Sequence, residues 1–184
     1  MNILAIDPGP THSAWVRIES GIPVASNWRE NQSVLFDVEA MSDMLEGHLV
    51  IEKVMNYGMT VGESVFETVF WTGRFAEAWG SSFTRITRGE VKDAMCHDQK
   101  ATKANVNQAI KDHYDTINPV GTKKNQGPLY EFQHAGPKGA NPHRWDALAV
   151  GLTYLEQQKL TPNTAPSPGK VVFDYFYARS SIRN

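Results

Sequence analysis

The chain has 184 residues, 41% of them hydrophobic and 21% charged, which suits one globular domain with room for a sizeable core. No apolar run reaches transmembrane length and no basic-then-apolar leader is recognisable. The single cysteine, Cys96, excludes an internal disulfide and a cysteine-based zinc site and suits a reducing cytosol, so the cytoplasm is the expected location. The formal net charge of −2 argues against a uniformly basic nucleic-acid binder. An acidic metal-binding cluster cancels basic residues elsewhere, however, so the distribution of charge matters more than its sum.

In chain order, "NILAI" (2–6) reads as a buried strand ending at Asp7, and "PGPTH" (8–12) as a turn. "SAWVRIE" (13–19) reads as a second strand, and the turn "GIP" leads into a third, roughly 22–28. Together these make an antiparallel meander. The spacing of Val34, Leu35, Val38, Met41 and Leu45 predicts a helix over 33–47, stopped by Gly47. "HLVIEKV" (48–54) is a short apolar strand with Glu52 at its far end. A long helix is predicted over 61–80, with Phe66, Phe70, Phe75 and Trp79 on its apolar face. A strand over 82–88 and helices near 89–97 and 103–114 follow. Residues 115–142 read as a long connection rich in Gly, Pro and Lys, and 143–158 as a helix with Leu148, Ala149, Leu152 and Leu155 inward. "TPNTAPSPG" (161–169) reads as a linker and "KVVFDYFYA" (170–178) as one more strand. This order predicts an α/β domain over 1–158 built on a mixed five-stranded sheet, its first three strands antiparallel, with a C-terminal extension over 159–184.

Asp7 and Glu52 each end a short apolar run, where a charge needs a partner. If their strands are parallel neighbours, the two carboxylates meet. His143 and Asp146 are three residues apart, on one face of the last predicted helix, with Asp146 in its first turn. Three carboxylates and an imidazole thus point to one rim. Clustered carboxylates repel unless a cation sits among them. Oxygen ligands suit Mg²⁺ or Mn²⁺, and the imidazole favours Mn²⁺ somewhat. Two such ions about 4 Å apart activate a water and stabilise the leaving oxygen of a phosphodiester. Each residue also has a plainer reading. Asp7 forms a turn, Glu52 is exposed at a strand end, Asp146 complements a helix dipole, and His143 begins a helix. It is the set, in the order strand end, strand end, helix, that favours the metal.

"LAIDPGPTHSAWV", "LVIEKV" and "HRWDALAVGLTYLE" resemble the three catalytic blocks of the RuvC family of Holliday junction resolvases. The third block is the most specific, since it combines both ligands with the packing face of the helix. The resemblance spans most of residues 1–158. It implies a ribonuclease H-like fold and a metal-dependent nuclease that resolves four-way junctions, leaving 5′-phosphate and 3′-hydroxyl ends. It implies Asp7, Glu52, His143 and Asp146 as catalytic metal ligands for two ions. "GTKKNQGPLYEFQHAGPKGANPHRWDALAV" resembles phage-encoded relatives more than the cellular enzyme, a resemblance that implies action in a host cytoplasm. One departure is that the usual glycine beyond Asp-Pro-Gly is replaced by Ser13 or Ala14. Another is that the tail after residue 158 has no counterpart.

The same resemblance implies a homodimer joined through the helix near 62–79, with Phe66, Phe70 and Trp71 at the interface and Phe75 and Trp79 adding apolar area. The plainer reading is that these are ordinary core aromatics; since one helix cannot bury every side of Phe70 and Trp71 internally, they are expected to divide between core and interface. Phosphate contacts are expected from Arg85, Arg88, Lys92, Lys100, Lys103 and Lys111, and from Lys123, Lys124 and Lys138 in the long connection. For any single lysine a solvated surface is the plainer reading. Tyr57 follows Glu52 closely, where the family carries an aromatic that stacks at the junction centre. Such stacking contributes roughly 1–3 kcal/mol per base.

Three rivals remain open. Sugar-kinase and actin-type ATPases also open with an apolar strand and Asp-x-Gly, but need a second phosphate-binding domain for which this chain has little room. A protein that binds branched DNA without cutting it is a second rival. A ribonuclease acting on RNA in hybrids is a third, allowed by the same fold.

Overall fold

The computed structural model describes residues 1–56, 58, 60–114, 118–134 and 140–160. Tyr57, Lys138, the linker 161–169 and the strand expected over 170–178 lie outside the described residues. The elements run β1 (Asn2–Asp7), β2 (His12–Glu19), β3 (Ile22–Glu30), α1 (Asn31–Met44), β4 (Gly47–Lys53), α2 (Glu63–Trp79), β5 (Phe83–Thr87), α3 (Arg88–Cys96), α4 (Lys103–His113), α5 (Tyr130–His134) and α6 (Ala140–Leu160). The five strands form one mixed sheet in the order β3-β2-β1-β4-β5. The β1–β2 and β2–β3 pairs are antiparallel, and β4 runs parallel to both β1 and β5.

Helices cover both faces of the sheet, which is why β1 is a continuous apolar run instead of an alternating one. Ile3, Leu4, Ala5 and Ile6 are all fully buried. Ile3 and Ala5 face the larger core beneath α6, with Ala14, Val16, Ile18, Val50 and Ile86. Leu4 and Ile6 face a smaller core beneath α1 and α2, with Val34, Val38, Leu49, Ile51 and Phe75. Charges begin only where the rows run out at the C-terminal ends of the parallel strands. Ile3 and Ala5 are followed at the same period by Asp7, Val50 by Glu52, and Ile86 by Arg88.

Three expectations are corrected. Gly47 does not stop α1; the helix ends at Met44, and Gly47 opens β4 opposite Asn2. A Cβ there would lie 3.0 Å from the Asn2 carbonyl oxygen, so the glycine serves close strand approach. The 115–142 connection is not continuous loop, because it contains α5, whose Phe132 is buried against Trp145. The last helix begins at Ala140, so Asp146 stands in its second turn and not its first. The helix runs to Leu160.

α6 is buried on almost every side from Arg144 to Tyr154, between the sheet on one side and α3, α4 and α5 on the other. Gly151 permits its close approach to β1 and β2. A Cβ at that position would lie 3.0 Å from Ala5 Cβ and collide with the Ile18 side chain. This proximity brings the first two turns of α6 over the end of β1.

Candidate active site

Four elements meet at the C-terminal end of the parallel strands. β1 ends at Asp7, β4 carries Glu52 one residue beyond the Ile6–Ile51 pair, α3 begins at Arg88, and α6 presents His143 and Asp146. One ligand atom each from Asp7, His143 and Asp146 lie within 4.8 Å of one another. Glu52 stands outside that trio but lines a cavity of about 310 Å³ together with Asp7, Arg88 and Thr68 of α2. The four residues expected from the sequence therefore share one rim, arranged as a trio with Glu52 beside Asp7.

Their electrostatics are those of crowded acids. Burial, and then the charge of Asp7, push the Glu52 carboxyl up from 4.5 to about 8. His143 Nδ1 donates to Asp7 Oδ2 at 2.9 Å, and that bond raises the imidazole above its ordinary value. Asp146, only 8% exposed, has both oxygens engaged. Arg88 Nη1 donates to Oδ1 at 2.8 Å, and Lys103 Nζ donates to Oδ2. Burial works against the Arg88 charge, but Asp146, Glu52 and Asp7 outweigh it and raise its pKa.

Arg88 and Lys103, expected from the sequence as phosphate contacts, stand here as the counter-charges of Asp146. The sequence holds a signal for Arg88, which extends β5 as Asp7 extends β1. Lys103 carries no such signal. It opens α4 directly after Thr102, whose side chain caps the helix, and only packing brings it to Asp146.

The turn after Asp7 is held by a buried network that sequence reasoning missed. The Gly9 N–H donates to Ser13 Oγ at 3.1 Å, the Ser13 hydroxyl donates to Asn31 Oδ1 at 2.6 Å, and Asn31 Nδ2 donates back to the Gly9 carbonyl at 2.9 Å. Ser13 and Asn31 are 1% and 2% exposed. The small residue expected at position 13 or 14 therefore has a use in each place: Ser13 ties the turn, and Ala14 leaves space beneath Trp28.

Of the other predicted contacts, Arg85, Lys100, Lys123 and Lys124 are exposed. Lys92 donates to the Gln99 carbonyl, and Lys111 lies 5.8 Å from the Trp145 ring centre. On α2, Phe66 and Phe70 are exposed, at 66% and 57%, whereas Phe75 and Trp79 are buried. Trp71 lies between, half-buried under the Arg74 guanidinium.

The donor set fits hard divalent cations: carboxylate oxygens with one imidazole nitrogen, and a Glu52 whose ionisation is opposed until a positive charge compensates it. An ion held by Asp146 would have to share that carboxylate with Arg88 and Lys103 or displace one of them.

Neither a family model nor a curated protein matches the sequence. Solved structures do. RuvC of Thermus thermophilus aligns with a TM-score of 0.57 at 17% identity, over 86% of this chain and 96% of that one. T. thermophilus RuvC in complex with Holliday junction substrate aligns with a TM-score of 0.61 at 16% identity, over 86% and 95%. The fold is that of RuvC, the ribonuclease H-like architecture expected from the sequence.

Proposed function

We propose that this chain is a metal-dependent, structure-selective endodeoxyribonuclease that hydrolyses phosphodiester bonds in Holliday junctions or related branched DNA. One observation carries the reading. Asp7, His143 and Asp146 converge within 4.8 Å at the rim of a RuvC-type sheet, with Glu52 beside Asp7. A solved RuvC of the same fold is bound to a Holliday junction substrate.

Asp7, Glu52 and Asp146 would hold Mg²⁺ or Mn²⁺, two ions in the family's manner, with His143 as a further ligand or as the group that positions the attacking water. When bound, such a pair supplies an activated water and stabilises the leaving oxygen. Arg88 and Lys103, already at the rim, receive the non-bridging oxygens of the scissile phosphate as they loosen from Asp146. Arg85, Lys92, Lys100, Lys123 and Lys124 make peripheral phosphate contacts, and Tyr57 stacks on an unpaired base. A second copy docks on the exposed Phe66 and Phe70 of α2 with Trp71 at the edge, and two related sites then face the two-fold junction. The setting is the cytoplasm, that of a host if the chain is phage-encoded. Among the described residues no helix is long and apolar enough to cross a membrane.

The test is cleavage of a synthetic four-way junction in Mg²⁺ or Mn²⁺ by the wild type and by Asp7→Asn. Cleavage by the wild type and a loss of more than ~100-fold in the variant is expected, since substitutions merely adjacent to metal ligands already cost 10–100-fold. Equal rates defeat the assignment. Junction binding without cleavage in any metal favours the non-cutting branched-DNA binder, and preferred cutting of RNA in hybrids favours the ribonuclease.

A further inference from the structure

The imidazole that faces Asp7 is held by more than Asp7. Asp7 pairs with Ala14 across β1 and β2, and Ala14 pairs with Trp28 across β2 and β3. These residues form one row across the sheet. Ala14 is fully buried and ends at Cβ, so the neighbouring indole has room above the sheet and packs against the larger core. One neighbour of that indole is His12, with ring centres 4.5 Å apart and planes 15° apart. Another is His143, at 6.3 Å and 13°. Three nearly parallel rings therefore lead from β2 to α6. Thr11 Oγ1, 3.1 Å from His12 Nδ1, anchors the first ring, and Asp7 Oδ2 anchors the last.

We propose that Trp28 is a positioning residue: the indole sets the plane of the His143 imidazole so that Nδ1 meets Asp7 and the ring is pre-arranged for the metal site. His143 needs such a support. Its side chain is 51% exposed and lies in the first turn of α6, where a single hydrogen bond leaves the ring free to tilt about the Nδ1–Oδ2 line. Near-parallel aromatic contact at this separation removes that freedom. Fixing ligand orientation is what partners behind a metal ligand characteristically do. This inference rests on the nuclease reading for its consequence, but not for its geometry.

The experiment compares wild type, Trp28→Leu, Trp28→Phe and, as a reference, Asp7→Asn. In the metal-free protein, ¹⁵N NMR of the imidazoles is expected to show one His143 tautomer, protonated at Nδ1, in wild type and Trp28→Phe, and a tautomer mixture in Trp28→Leu. Mn²⁺ affinity by calorimetry is expected to fall about tenfold in Trp28→Leu and to be largely kept in Trp28→Phe. On a four-way junction, Trp28→Leu is expected to lower kcat at saturating metal while KM for DNA stays unchanged. Leucine fills the space without stacking, so a merely structural role predicts no difference between the two variants. Wild-type tautomer and Mn²⁺ affinity in Trp28→Leu overturn the proposal, as do equal losses in Trp28→Leu and Trp28→Phe. If the wild type neither binds Mn²⁺ nor cuts DNA, the nuclease reading fails, and the metal-free spectra still decide what Trp28 does.

Discussion

The two faces of the central sheet are covered by different means. Beneath α6, a large continuous core closes over β1, β2, β4 and β5, and the helix is buried from Arg144 to Tyr154. Beneath α1 and α2 the core is smaller. There α2 buries Phe75 and Trp79 but turns Phe66, Val69 and Phe70 outward. The closed face carries the charged residues at its rim and the open face carries the exposed aromatic surface. A site that must hold acids close together needs a backbone that does not yield to their repulsion. The α6 face supplies it through close packing, whereas the α2 face leaves Phe66, Val69 and Phe70 open to solvent, where the proposed second copy would dock.

The strongest way to break this contrast is to separate α6 from the sheet. Gly151→Val places a branched side chain against Ala5 and Ile18, and overpacking of this kind costs about 1–3 kcal/mol. Chemical denaturation is expected to show that loss, with metal affinity falling alongside it because His143 and Asp146 ride on the same helix. Unchanged stability would mean that the approach of α6 is looser than its contacts indicate.

A second test uses pH. Burial and the charge of Asp7 raise Glu52 from 4.5 to about 8. Between those values the folded protein holds a proton that the unfolded chain has released, so stability falls as pH rises through this window. The bond to Asp7 raises His143 as well, and loss of its proton at rising pH acts in the same direction. Without divalent metal, the melting temperature is therefore expected to decline from about pH 5 towards pH 8, and added Mn²⁺ to restore it most at the upper end. Glu52→Gln is expected to flatten the metal-free decline. A flat wild-type profile would contradict the crowding of these acids.

The smallest effect on stability belongs to the open face. Phe70→Glu, at an exposed position, is expected to change unfolding free energy by no more than about 0.5 kcal/mol. It is nonetheless expected to convert a dimer to a monomer in sedimentation velocity. A wild type that sediments as a monomer across the accessible concentrations would leave α2's outer face without the second copy assigned to it.

Much of this organisation was legible before any coordinates. The unbroken run Ile3–Ile6 reports a strand covered on both sides, and an acid at its end reports a rim. Glu52 repeats the pattern, and the three-residue interval between His143 and Asp146 places both on one helical face whatever the helix packs against. Other features were less legible because their cause is distant in the chain. Gly47 looked like a helix stop, yet its role is set by Asn2 on the neighbouring strand. α5 buries Phe132 against Trp145 of α6, a contact between distant parts of the chain that no local periodicity encodes.

The sequence by itself therefore determined the acids, the imidazole and their attachment to strand ends and one helix face, because strand and helix periods are local properties of the backbone. Only the tertiary structure decided that Arg88 and Lys103 neutralise Asp146, that Ser13 and Asn31 tie the turn beyond Asp7, and that Trp28 stacks beside His143. Those pairings join residues 58, 43, 18 and 115 positions apart. Charge and ring are satisfied by the partners that the packing of α6 brings near, and the Ser13 hydroxyl by the start of α1; in each case that proximity is a property of the assembled core.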